Sequence, residues 1–142
     1  MNNIKNMKSI IVILFISLAG ALSTFAQCEE NAVLITSKTN LADPSGNPVR
    51  VKDEKTVLRF SKAAIMLNID GEGRGELKIV SQNCIWTIPY KDGKSVINAK
   101  LNDWDYTLTI EGKEGRIYLH VVKNESDDSI LSMVVDKFER ID

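Results

Sequence analysis

Tyr106-Thr-Leu-Thr-Ile-Glu-Gly-Lys-Glu-Gly-Arg-Ile-Tyr-Leu-His-Val121 decides the fold. Tyr106, Leu108 and Ile110 share one parity, and Thr107, Thr109 and Glu111 the other. After Gly112 to Gly115, Ile117, Leu119 and Val121 alternate with Arg116, Tyr118 and His120. Alternation over about 4–8 residues turns every second side chain to one face, the mark of a half-buried strand. Two such runs around a glycine-bearing connection predict a hairpin.

The same pattern spreads outward. Ile97, Ala99 and Leu101 alternate with Val96, Asn98 and Lys100, and Leu131, Met133 and Val135 with Ser132, Val134 and Asp136. Trp86, Ile88 and Tyr90 oppose Ile85, Thr87 and Pro89. Ile65, Leu67 and Ile69 oppose Ala64, Met66 and Asn68. Asp92-Gly93 is expected to be a type I′ hairpin turn, because both central positions need positive φ. Asp70-Gly71 gives a similar break, and the polar stretch 124–129 a longer loop. Upstream, 32–37 is a plausible first strand, an exposed loop of about ten residues contains 43–48 with Pro44 and Pro48, and 56–61 and 63–70 are two more strands. No long 3.6-residue period is present. The expected architecture is all-β, an antiparallel meander of about eight strands closing into a small barrel or sandwich.

Residues 1–26 have another character. Lys5 and Lys8 precede an apolar run over 10–18, followed by small residues up to Ala26. That order is the layout of a secretory signal peptide, and the run is short for a membrane span. Cleavage after Ala26 is expected to leave residues 27–142 as a single all-β domain with no stable span. Lipid attachment at Cys28 would call for a small residue before it; Gln27 stands there. The expected location is therefore secreted or periplasmic, without a lipid anchor.

The expected mature chain has 116 residues, with 16 basic against 19 acidic side chains. The signs are interspersed and no basic stripe exists to displace counterions, which argues against nucleic acid as a partner. Lys52, Lys55, Arg59 and Lys62, interrupted by Asp53 and Glu54, read as a solvated strand face. Cys28 and Cys84 are the only cysteines, and in an exported chain they are expected to pair.

Few residues suggest chemistry. Residues 70–76 hold three acids and three glycines, but the spacing fits neither a calcium loop nor a phosphate loop, so a hairpin turn is expected. Asp103 and Asp105 resemble an acidic pair for glycoside chemistry, yet acidic pairs at strand ends are common on solvated surfaces. His120 is the single histidine, and no G-x-S-x-G accompanies it to build a hydrolase triad. Asn124-Glu125-Ser126 matches a glycosylation sequon, but the signal gives no reason to assume a eukaryotic source. Trp104, Tyr118 and His120 form the candidate binding surface, since exposed aromatics stack on sugars or partner proteins. Neither a catalytic residue, nor a metal ligand, nor a cofactor is expected.

This layout resembles the short lipocalin-like (calycin-type) β-barrel proteins that bacteria export, over about residues 33–140. Their Gly-x-Trp on the first strand is missing: Ala32-Val33-Leu34 stands in that region. No ligand residue therefore carries over. The resemblance implies a barrel interior that holds a small apolar molecule. The expected function is an exported non-enzymatic binding module of the bacterial cell envelope, taking a small apolar ligand or a partner protein. The alternative is a structural or protein-interaction domain with a filled core, and a third reading is an enzyme with its site scattered over loops.

Overall fold

The alternation closes on itself. The computed structural model describes residues 28, 30–125 and 129–142; the expected signal peptide over 1–26 and its cleavage point lie outside them. Eight strands follow one another: β1 (Ala32–Ala42), β2 (Pro48–Phe60), β3 (Ala64–Ile69), β4 (Glu72–Ile88), β5 (Asp92–Leu101), β6 (Trp104–Lys113), β7 (Arg116–Lys123) and β8 (Ile130–Arg140). Each pairs antiparallel with the next, and β1 pairs antiparallel with β8, so the sheet is a closed barrel. Closure leaves no free sheet edge. Among the described residues no helix is long and apolar enough to cross a membrane.

The inward set is the one the alternation gives. Leu108, Ile110, Leu119, Ile97, Ala99 and Met133 are buried and join Leu34, Leu58, Ile65 and Leu77 in one core. Phase shifts occur at bulges. The β1–β2 register slips between Thr36 and Lys38, and the β4–β5 register between Ile79 and Ser81. The inward face changes phase on β1, from Leu34 and Thr36 to Thr39, and on β4 across the second bulge. Leu77 and Ile79 therefore pack inward below the second bulge, and Cys84 and Trp86 above it.

Four features differ from the sequence reading. First, β1 continues to Ala42 and β2 begins at Pro48, so the ten-residue loop shrinks to residues 43–47. Asp43 organises it: its carboxylate accepts from Asn47 N (2.8 Å) and Asn47 Nδ2 (3.1 Å). Pro48 is tolerated because it opens a strand, where its missing N–H is least needed. Second, the reversal before β5 is not at Asp92-Gly93. The chain turns at Pro89-Tyr90-Lys91, with Lys91 N donating to Ile88 O, and Asp92 and Gly93 already belong to β5. Third, Ile88 does not continue the inward parity of Trp86; it is exposed. Fourth, the turn at 70–76 is only Asp70-Gly71, and β4 starts at Glu72.

Gly93 has a different task from the one its sequence position suggests. It pairs with Trp86 on one side and Gly112 on the other. A Cβ at Gly93 would meet the Ile85 carbonyl and the Trp86 ring; one at Gly112 would meet the Lys91 carbonyl and the same ring. The indole lies over bare glycine backbone, and its Nε1 donates to Ser95 Oγ at 2.7 Å. Phe138 packs on Trp86 (5.9 Å between centroids), on Phe60 (6.3 Å) and on Tyr90 (4.8 Å). These aromatics fill one end of the barrel.

The N-terminal segment closes that end. Cys28 and Cys84 form a disulfide, with Cα atoms 5.7 Å apart. The Tyr90 hydroxyl donates to Glu30 Oε2 at 2.7 Å, and Ile141 N donates to Asn31 O. A disulfide is compatible with an oxidising extracellular or periplasmic setting. The opposite end carries the 43–47, 70–71 and 102–103 turns and is open.

Candidate functional site

The open half of the barrel is hollow because its inward side chains are too small to fill it. Leu58, Leu67, Leu77, Leu101, Leu119 and Val121 line it, with Met133 at its floor and Tyr106 as its one aromatic. The larger rings sit at the closed end. The result is a cavity of about 230 Å³. Gly75 makes room in the wall: a Cβ there would lie 2.9 Å from Leu101 Cδ1. Filling the cavity with side chains would add at most about 5.5 kcal/mol, at about 24 cal/mol per Å³. That is comparable to the whole stability margin of a small domain.

The mouth of this apolar space holds three polar side chains with inward parity. Thr39, Glu54 and Thr56 line the cavity, from β1 and β2. Glu54 follows from strand geometry, being two residues from Thr56 and four from Leu58 on one face. Its side chain is 11 % exposed, and Oε2 lies 3.0 Å from Lys52 Nζ. Burial pushes the Glu54 carboxyl up, while the hydrogen bond and charge of Lys52 and the nearby Thr39 hydroxyl pull it down. The balance holds it below its ordinary value, so it is ionised. Thr39 is 8 % exposed, and its Oγ1 has no protein hydrogen-bond partner of good geometry. It stands near enough to Glu54 to lower that carboxyl without meeting the geometry of a hydrogen bond. Thr36, deeper on β1, differs: its hydroxyl donates to Met133 Sδ at 3.6 Å.

The residues singled out from sequence fall in two places. Trp104 has the inward parity of Tyr106 and Leu108 and pairs with Leu101, so it stands at the rim of the cavity. It is half exposed, and Lys123 Nζ lies 3.3 Å from its ring centroid. Tyr118 and His120 are half-buried on the outer wall. Tyr118 lies between Glu111 and Val134, and His120 between Thr109 and Ser132. The barrel wall separates this pair from the inward face on which Trp104 sits. Asp105 faces outward beside Lys100, at 3.6 Å. Asn124 N donates to Asp105 O, and Ser126 of the sequon lies outside the described residues. Among the described residues no group of three or more His, Cys, Asp or Glu is placed to hold a metal ion.

Thr39 and Glu54 were missed by the sequence reading, which took the 52–62 charges for a solvated face. The available signal was parity: Glu54 is in phase with Thr56 and Leu58. Comparison with protein-family models, with curated proteins and with solved structures finds no match for this chain.

Proposed function

We propose that this protein is an exported, non-enzymatic binding module of the cell envelope that holds a small apolar molecule in the open half of its barrel. The observation that carries the reading is the 230 Å³ apolar cavity, open at one end and closed by aromatics at the other. A barrel serving only as a scaffold or interaction domain gains stability from a filled core. Here the chain forgoes that gain in one half and takes it in the other. Ligand sites are typically concave and mostly apolar, with few polar groups, and this cavity matches in kind though it is smaller than usual. The lipocalin-like layout points the same way.

The test is direct. Protein purified from its native host is extracted with organic solvent and analysed by mass spectrometry, and the emptied protein is titrated with toluene. The expected result is saturable toluene binding at one site per chain, with a small apolar molecule in the extract. Failure to bind toluene together with an empty extract sinks the proposal in favour of a filled-core interaction domain.

A further inference from the structure

We propose that the cavity selects an uncharged short amphiphile of about nine non-hydrogen atoms in all, an apolar body carrying one hydroxyl that hydrogen-bonds between Thr39 and Glu54. This rests on the reading of the cavity as a ligand site. Size comes first. A dry cavity of about 150 Å³ accommodates benzene, so about 230 Å³ accommodates roughly nine heavy atoms. A long acyl chain or a large polycycle does not fit.

The head group follows from the mouth. A buried polar atom without a partner costs free energy, and Thr39 Oγ1 is the one such side-chain atom among the described residues. It borders the cavity beside the Glu54 carboxylate, one of whose oxygens is taken by Lys52. A ligand hydroxyl gives Thr39 the partner it lacks and Glu54 a further one: it accepts from Thr39 and donates to Glu54. Charge argues against the alternatives. A carboxylate head meets the Glu54 charge in a space poorly reached by water. An ammonium head meets Lys52, with Arg50 on the same strand face bordering the adjoining mouth surface. Lys52 already neutralises Glu54, so a neutral head leaves that balance undisturbed.

The experiment is calorimetric titration of the disulfide-bonded protein with 1-octanol, octanoate, octylamine and toluene, repeated on Thr39→Val. The 1-octanol is expected to bind at least about tenfold more tightly than either charged probe. Thr39→Val, which keeps the side-chain shape, is expected to weaken 1-octanol about fivefold and to leave toluene unchanged. Equal binding of charged and uncharged probes, or indifference of 1-octanol to Thr39→Val, overturns the head-group inference while toluene binding leaves the cavity reading intact. If neither toluene nor 1-octanol binds, the cavity reading itself has failed. The head-group series on the unmodified protein decides the matter even if Thr39→Val does not fold.

Discussion

Lys52 Nζ reaches Glu54 Oε2 across one strand repeat, 3.0 Å apart on the inward face of β2. The pair sits where apolar wall gives way to solvent, with Lys52 about half exposed and Glu54 nearly covered. Its stability contribution depends on pH in a definite direction. The folded Glu54 carboxyl is held below its ordinary value, with Lys52 and Thr39 outweighing the opposing effect of burial. A depressed carboxyl contributes stability above its unfolded pKa and loses it as pH falls through the folded value. Glu54→Gln is therefore expected to cost about 1 kcal/mol near neutral pH and little near pH 3, with urea midpoints at both pH values as the measurement. An equal penalty at both would show that the charge is not what stabilises the strand.

Gly112 and Gly73 make a matched pair of tests for the closed end. A Cβ at Gly112 runs into the Lys91 carbonyl and the Trp86 ring, whereas one at Gly73 meets nothing within 4 Å. Backbone on one side and a packed indole on the other leave no cheap adjustment. Gly112→Ala is expected to destabilise by about 2 kcal/mol, and Gly73→Ala to change stability by less than about 0.5 kcal/mol. Thermal melts of the two variants compare them. Similar melting temperatures would mean that Trp86 does not depend on bare backbone beneath it.

These glycines also show what the sequence could convey. Alternation over 96–135 gives the strands, because one wall of the barrel is core and the other is water. The turn before β5 was misplaced because Asp92-Gly93 carries a hairpin signal that Gly93 instead satisfies through Trp86, a contact no local pattern contains. The long β2 was obscured at its first half. Arg50, Lys52 and Glu54 occupy inward parity near the mouth, so the pattern lacks apolar residues where the barrel opens. The site erased its own strand signal. Trp104 was legible as an exposed aromatic at a turn, but its inward parity becomes meaningful only once the barrel end is known to be hollow.

The Cys28–Cys84 disulfide spans 56 residues. A loop of that length corresponds to about 4 kcal/mol of chain entropy removed from the unfolded state. It lies at the end opposite the cavity mouth. Cys28→Ser with Cys84→Ser is expected to lower stability by up to that amount while leaving toluene affinity within about twofold in the fraction that remains folded. Urea unfolding gives the first quantity and calorimetry the second. Loss of binding in a protein that retains its native circular dichroism would show that the two ends are coupled.

Lys123 lies over the Trp104 ring at the rim. A partly exposed cation–π contact is worth about 0.5–1 kcal/mol, so Lys123→Ala is expected to cost no more than that. Its clearer effect is on access to the indole. Acrylamide quenching of tryptophan emission should rise in the variant, since Trp86 is buried and contributes little. Unchanged quenching would mean that the ammonium does not cover the ring in solution.

Val121 is the position from which to fill the cavity. It is half-buried, faces inward from β7 in phase with Leu119, and borders the hollow rather than the packed floor. A phenylalanine there adds a ring to space that has no side chain in it, instead of forcing one into a closed core. Val121→Phe is expected to raise stability by about 1 kcal/mol, the usual yield of cavity filling, and to weaken toluene at least about tenfold. The two readings must move together, because both report the same volume. Urea unfolding and calorimetric titration of the variant measure them, and a variant that loses stability while still binding toluene normally would place the ligand somewhere other than this half of the barrel.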